Sequence, residues 1–283
     1  MIVFNGQKFA QKKEKVLRAK FGQLAQRGIK PKLAFILVGK SKEAEFYVFL
    51  KEKAAKRLGV DFETRCFSQK ARLEAIYQYV NTLNEDKKVW GISFEYPLPK
   101  NFKTILPAMI APEKDVDCLT PFNLGRLVMG DWLILPSSVR AVLEVLKFTF
   151  GGRSAALNLW LKGKLVVIVG FGTLVGRPLS VVLKHFGATV TICDEFSKNL
   201  ADYTKRAEIL VSATGQAGLI KSEMIKKGAV VLDLSYPKGD CQPGVAQVAS
   251  FFTPVPGGLG PVTIACLFEN LLELYKYSNT TKY

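Results

Sequence analysis

Histidine is almost missing from this 283-residue chain, with His185 standing alone, and the five cysteines (Cys66, Cys118, Cys193, Cys241 and Cys266) form no C-x-x-C pair. That excludes zinc-finger spacing, leaves no metal-ligand set, and argues against a disulfide framework, so a reducing cytosol is the natural setting. His185, at an expected helix end, is given no catalytic role. Long apolar runs are also missing. The longest, Leu165–Gly176, is broken by glycine and far short of the ~20 residues that cross a bilayer. The start, MIVFNGQKFAQKKEK, puts lysines after a short apolar opening and has no signal-like core. Acidic residues are scarce: 24 Asp and Glu face 40 Lys and Arg.

What is present is the material of a folded core, with 48% hydrophobic and 23% charged residues, which excludes general disorder. The charge is uneven. Residues 1–100 carry 21 Lys and Arg against 10 Asp and Glu, so +11 of the net +16 lies there. A basic surface attracts anions of any kind, including acidic metabolites. No zinc finger, homeodomain or aromatic RNA-binding pattern accompanies it, which argues against nucleic acid as the main partner.

Periodicity predicts alternating strands and helices. A helix over Lys8–Arg27 places Phe9, Val16, Leu17, Phe21 and Leu24 on one face. Strand Leu33–Gly39, helix Glu43–Leu58, strand Val60–Cys66, helix Ala71–Leu83 and strand Val89–Phe94 follow. The Pro- and Asp-rich stretch Pro97–Thr120 then interrupts the pattern and marks a domain junction. A helix at Val139–Phe148, strand Leu165–Gly170, a helix from about Val175, and strands Ala188–Asp194, Ile209–Ser212 and Val230–Leu234 complete a second α/β region. The apolar tail Thr263–Tyr277 reads as a terminal helix returning to the first domain. The fold class is therefore α/β with parallel sheets.

Three segments carry candidate chemistry. GFGTLVGRP, after strand Leu165–Gly170, sets Gly170, Gly172 and Gly176 in a G-x-G-x-x-x-G turn, where backbone N–H groups and a helix start can meet a pyrophosphate. Asp194, 22 residues beyond Gly172, stands where an acid would bond a ribose hydroxyl. A plain tight turn is the alternative. Tyr47 and Lys51 lie four apart on one helical face, for which a surface tyrosine over a solvated lysine is the plainer reading. The third segment, PEKDVDCLTPFN, offers Asp115 and Asp117 beside the junction. Elsewhere FEYPLPK ends a strand at a stiff loop, and TPVPGGLGPVT fixes backbone shape near a ligand or a crossover.

In this order the segments resemble the bifunctional methylenetetrahydrofolate dehydrogenase/cyclohydrolase (FolD) family. P-x-L-A-x-I-L-V-G, Y-V-x-x-K, P-L-P, K-D-V-D, V-G-x-P, A-T-V-T and T-P-V-P-G-G-x-G-P all occur in family sequence. The resemblance implies a folate-binding catalytic domain over 1–125 and 263–283, and a Rossmann-like domain over 126–262 that binds NADP or NAD. It also implies a cytoplasmic homodimer, with folate lying between the domains. Methylenetetrahydrofolate would be oxidised to the methenyl cation, which water then opens to 10-formyltetrahydrofolate. Lys51 falls on the family's catalytic lysine and Tyr47 on the tyrosine packed against substrate. Asp117 falls on the pterin-holding acid, with Pro256, Gly257 and Gly258 on the loop beside it. Gly170, Phe171, Gly172, Val175, Gly176, Asp194, Glu195 and Tyr236 fall on the cofactor side.

The departures matter as much. Glu95 stands where the family has Gln, and a carboxylate within ~4–6 Å of an amine favours its ammonium form. Methenyl hydrolysis would then be impaired relative to hydride transfer, unless Glu95 itself acts as base; Glu95 therefore joins the catalytic set. Phe171 replaces an arginine, and Asp194-Glu195 replaces His-Ser. Both changes disfavour a 2′-phosphate and point to NAD. PSSVRA (Pro136–Ala141) replaces P-C-T-P-x-G, with Ser137 and Ser138 expected to cap the following helix. Cys118 replaces a glycine and Ala44 a serine, and neither has a functional account. Other readings are a paralogue with one half-reaction, a non-catalytic folate or dinucleotide binder, and a shikimate-type dehydrogenase.

Overall fold

The computed structural model describes residues 1–149, 151 and 154–280, with the side chains of 154–156, 279 and 280 left aside. Its elements in chain order are β1 (Ile2–Val3), α1 (Gly6–Gln26), β2 (Lys32–Val38), α2 (Lys42–Leu58), β3 (Asp61–Phe67), α3 (Leu73–Glu85) and β4 (Val89–Phe94). Then come α4 (Pro121–Met129), α5 (Ser137–Thr149), α6 (Ser154–Leu161), β5 (Leu165–Val169), α7 (Gly176–His185), β6 (Thr189–Cys193) and α8 (Leu200–Thr204). β7 (Ile209–Ser212), β8 (Val230–Asp233), α9 (Val245–Val248), β9 (Phe251–Thr253) and α10 (Leu259–Thr280) finish the chain. Two units emerge: Met1–Ala10 with Ser138–Thr263, and Gln11–Ser137 with Ile264–Tyr283.

The lysine-rich unit, Gln11–Ser137 with Ile264–Tyr283, is built on a parallel sheet ordered β3-β2-β4. β2 reads KLAFILV and is the central strand; a strand covered on both faces needs an unbroken apolar run rather than alternation. On one face Ala34, Ile36 and Val38 pack with Ile76, Val80 and Leu83 of α3 and with Ile92 and Phe94 of β4. Each such buried aliphatic side chain contributes about 1.5–3 kcal/mol. On the other face α10 comes so close that a Cβ on Gly91 would lie 2.8 Å from Leu271 and 2.9 Å from Leu33. Trp90 stacks on Tyr275 of the same helix at 3.8 Å.

The second unit carries a parallel sheet ordered β1-β9-β8-β7-β5-β6. Its core joins Val167, Val169, Leu210, Val231 and Phe252 from the strands to Ile220, Ile225 and Val245 around them. The first ten residues lie in this unit. Ile2 N–H donates to Ser250 O and Phe4 N–H to Phe252 O, each at 2.8 Å, so β1 becomes an edge strand beside β9. Phe4, Phe9, Phe148 and Phe251 close a ring cluster over that edge. This unit resumes at Ser138.

Two expectations change. Val16 does not share the face expected for it with Leu17 and Phe21: it is 56% exposed, while Ala10, Leu17 and Phe21 form the buried stripe. Helix α5 begins at Ser137, so Ser137 and Ser138 sit inside its first turn rather than before it, and their hydroxyls serve other partners.

Candidate functional site

The chemistry of the lysine-rich unit starts from α2. Ser41 caps it, accepting the Ala44 N–H at 3.2 Å, and Gly59 ends it in the left-handed conformation (φ 73°). Between them Ala44, Val48, Lys51, Ala54, Ala55 and Leu58 form the buried stripe. Lys51 is thus a core residue, only 9% exposed, and not the solvated lysine that its spacing alone suggested. Its Nζ lies 4.3 Å above the Phe35 ring and donates to Glu95 Oε2 at 2.5 Å. Tyr47, one turn back, is half-buried.

Glu95 follows β4 directly. Its N–H donates to Ile36 O at 2.9 Å, so the β2–β4 ladder continues through it and sets its side chain at the carboxyl ends of both strands. Only 9% exposed, it forms one wall of a cleft of about 190 Å³ that Ser41, Ala44, Gln69 and Pro97–Pro99 also line. Burial pushes the Glu95 carboxyl above the usual carboxylate range; the Lys51 ammonium pulls it down and the Asp117 charge adds to the rise.

The two acids of K-D-V-D divide their labour. Asp115 bridges to Ile92 of β4 and is 1% exposed, accepting the N–H groups of Leu119 and Thr120 (3.0 and 2.8 Å) and Asn123 Nδ2 (2.9 Å). It closes the loop. Asp117 stays half-buried and accepts Ser93 Oγ at 3.1 Å and Ser137 Oγ at 2.5 Å, one hydroxyl on each oxygen. Cys118, next in the chain, holds φ 55°, the left-handed region that glycine adopts without strain, so a glycine there has a backbone reason. The Tyr96 phenol is pushed up to about 12 by burial and then by the charges of Asp117 and Asp115. Asn270 of α10 donates to Val116 O (3.0 Å) and Leu135 O (2.8 Å), fixing the backbone on either side of this group.

In the other unit, the glycines after β5 serve different ends. A Cβ on Gly170 (φ 105°) would lie 2.6 Å from Ala213 O, and one on Gly176 would lie 1.9 Å from Gly170 O. Gly172 would meet nothing within 4 Å, so its open backbone is free for a ligand to approach. Ser138 Oγ donates to Leu174 O at 2.6 Å, and Val175 stands just before α7. Phe171 is 43% exposed, and the Arg177 guanidinium lies 5.0 Å over its ring while Nε donates to Phe171 O at 3.1 Å. Asp194, at the end of β6, accepts Phe196 N–H and Ser197 Oγ on one oxygen, and Glu195 is exposed. Tyr236 follows β8 and is half-buried. Pro256–Gly258 belong to this same unit, where Gly6 N–H donates to Gly257 O at 2.8 Å and a Cβ on Gly6 would sit 1.7 Å from Gly258 O.

Residues 4–117 match the family model for the tetrahydrofolate dehydrogenase/cyclohydrolase catalytic domain, and residues 154–279 match that for the family's NAD(P)-binding domain. The chain belongs to this family. It is 38% identical to the bifunctional protein FolD of Methanosarcina barkeri, over 95% of this chain and 94% of that protein. Among solved structures it resembles the bifunctional FolD enzyme of Campylobacter jejuni at a TM-score of 0.89 and 33% identity, covering 98% and 99% of the two chains. It also resembles the Trypanosoma brucei FolD, solved with NADP and an inhibitor, at 0.90 and 34%, covering 98% of each. Membership sets aside the shikimate-type reading.

The structure brings Tyr47, Lys51, Glu95 and Asp117 into one unit, and the Gly-rich turn, Asp194, Glu195, Tyr236 and Pro256–Gly258 into the other. Sequence reasoning missed Ser93, Tyr96, Asn270 and Arg177. Ser93 had a signal: it is the one hydroxyl in VWGISF and stands two residues from Glu95, on the same strand face.

Proposed function

We propose that this chain oxidises 5,10-methylenetetrahydrofolate to the methenyl cation with a nicotinamide cofactor and hydrolyses that cation to 10-formyltetrahydrofolate, using the residues described above. The burial of Lys51 against Glu95 and Phe35 carries this reading, because a core lysine needs a reason that a solvated one does not. Asp117 accepts two N–H bonds from the aminopyrimidine edge of the pterin, and Tyr47 packs on the substrate. In hydrolysis a water oxygen bonds to the methenyl carbon and one proton of that water passes to the Lys51 amine; the bond from that carbon to N5 then opens as the carbonyl forms and the remaining hydroxyl proton moves to N5. The open backbone at Gly172 and the helix start at Gly176 fit a dinucleotide pyrophosphate, with Val175 and Tyr236 flanking it. When bound, the nicotinamide supplies the hydride acceptor. The test is to follow absorbance from methylenetetrahydrofolate with NAD and NADP supplied separately; no turnover with either ends the reading.

The preferred cofactor is NAD. Phe171 brings no charge to the turn, and Asp194 and Glu195 repel a 2′-phosphate, whereas Asp194 keeps one oxygen for a ribose hydroxyl. Arg177 works in the opposite direction, but its Nε is engaged by Phe171 O. Steady-state kinetics should give kcat/KM at least about tenfold higher with NAD. Higher efficiency with NADP overturns the assignment.

Glu95 weights the two half-reactions. An amine accepts a proton only through its lone pair, and the Lys51 Nζ is already committed to the Glu95 carboxylate at 2.5 Å. Hydrolysis is therefore slowed relative to oxidation. Glu95→Gln should raise methenyl hydrolysis about tenfold relative to dehydrogenation, measured on each half-reaction separately. A faster wild-type cyclohydrolase shows instead that Glu95 is the base.

A homodimer belongs to the same proposal; edge strand β6 exposes Ile192 (38%) and is followed by Phe196 (83% exposed), which offers apolar surface for it. No disulfide joins the five cysteines, all of which lie among the described residues, and this supports a reducing cytosol as the setting. Among the described residues no helix is long and apolar enough to cross a membrane.

A further inference from the structure

We infer that Ser93 and Ser137 are positioning residues that lock the plane of the Asp117 carboxylate for the pterin. The inference rests on Asp117 being the substrate-holding acid. Ser93 sits on β4 and is 2% exposed; Ser137 opens α5 and is 8% exposed. Their hydroxyls reach Asp117 from two separate elements, Ser93 Oγ to Oδ2 at 3.1 Å and Ser137 Oγ to Oδ1 at 2.5 Å. A carboxylate offers about four lone-pair sites, two on each oxygen. With one hydroxyl on each oxygen, rotation about the last side-chain bond breaks both bonds, and one lone pair per oxygen remains for substrate. Two lone pairs in a fixed plane are what a pair of parallel N–H donors on an aminopyrimidine edge requires. The geometry also accounts for the residue types. A thiol at 137 is only a weak donor, whereas a hydroxyl gives a short charge-assisted bond. Ser93 stands in an otherwise apolar strand, where a buried hydroxyl costs stability unless it has such a partner.

Hydrogen bonds to charged groups are stronger than those between neutral ones, so losing one should cost roughly tenfold or more in substrate binding. Steady-state kinetics on Ser93→Ala, Ser137→Ala, Ser137→Cys and Ser137→Thr test the inference, with Asp117→Asn run alongside. The expected result is a KM for methylenetetrahydrofolate raised about tenfold in Ser93→Ala, Ser137→Ala and Ser137→Cys. In those variants kcat stays within about twofold and the cofactor KM does not change; Ser137→Thr, which keeps the hydroxyl, restores the folate KM. If folate and cofactor KM rise together, or Ser137→Thr fails to restore binding in a folded protein, the role is structural and the inference falls. If both alanine variants keep the wild-type folate KM while Asp117→Asn raises it, the inference falls and the reading of Asp117 stands. If Asp117→Asn leaves it unchanged as well, both fall.

Discussion

Replacing Lys51 by methionine should abolish methenyl hydrolysis, by about a hundredfold or more, the range of a lost general acid–base group. It should also destabilise the chain by about 3–5 kcal/mol, the usual cost of removing one partner of a buried pair. Both effects have the same origin. The Lys51 ammonium opposes the upward push of burial on the Glu95 carboxyl, and without it Glu95 faces burial and Asp117 alone. A carboxyl raised in the folded state costs nothing below its unfolded pKa of about 4.3; the cost grows as pH rises from there and levels off above the folded value. The variant should therefore lie closer to wild type at pH 4 than at pH 8 in denaturant unfolding. The double variant Lys51→Met, Glu95→Gln removes the stranded acid, so stability should recover while hydrolysis does not. Recovery of hydrolysis in the double variant, or full activity in the single one, would remove Lys51 from the mechanism.

The central strands of both sheets were legible because they are short apolar runs, β2 reading KLAFILV and β5 LVVIV. The expected Val89–Phe94 and Ile209–Ser212 coincide with β4 and β7. β1 and β9 are two and three residues long, too short for any periodicity, and pair only because Ile2 and Val3 find Phe251 and Phe252 far along the chain. Helix α4 had its start signal in Thr120-Pro121, where Thr120 Oγ1 accepts the Asn123 N–H at 3.1 Å; the proline-rich surroundings disguised it as linker.

The site was legible in parts for similar reasons. An i, i+4 pair looks the same on a solvated face and on a buried one. What decides for Lys51 is its counter-charge, 44 residues away on another element. Ser137 looked like a helix cap because serine before an apolar helix usually is one. Its actual partner, Asp117, is set by tertiary placement, since the helix starts at Ser137 itself. The meaning of Cys118 emerges only from its backbone, whose left-handed φ is invisible in a single sequence.

The Gly-rich turn separates steric need from ligand need, and two alanine variants should part them. In Gly176→Ala the new methyl would sit 1.9 Å from Gly170 O, a backbone atom that cannot swing aside. The turn must open, at a cost of about 3 kcal/mol or more, the upper end of overpacking, and nicotinamide binding should be lost with it. Gly172→Ala adds a methyl to open space, so unfolding should change by less than about 0.5 kcal/mol. If the pyrophosphate runs against this backbone, that same methyl intrudes on the ligand, and the cofactor KM should rise about tenfold while the folate KM stays put. Kinetics and denaturant unfolding on both variants give the comparison. A Gly172→Ala protein with wild-type cofactor KM would mean that the dinucleotide approaches elsewhere on the turn, and only the steric half of the glycine argument would survive.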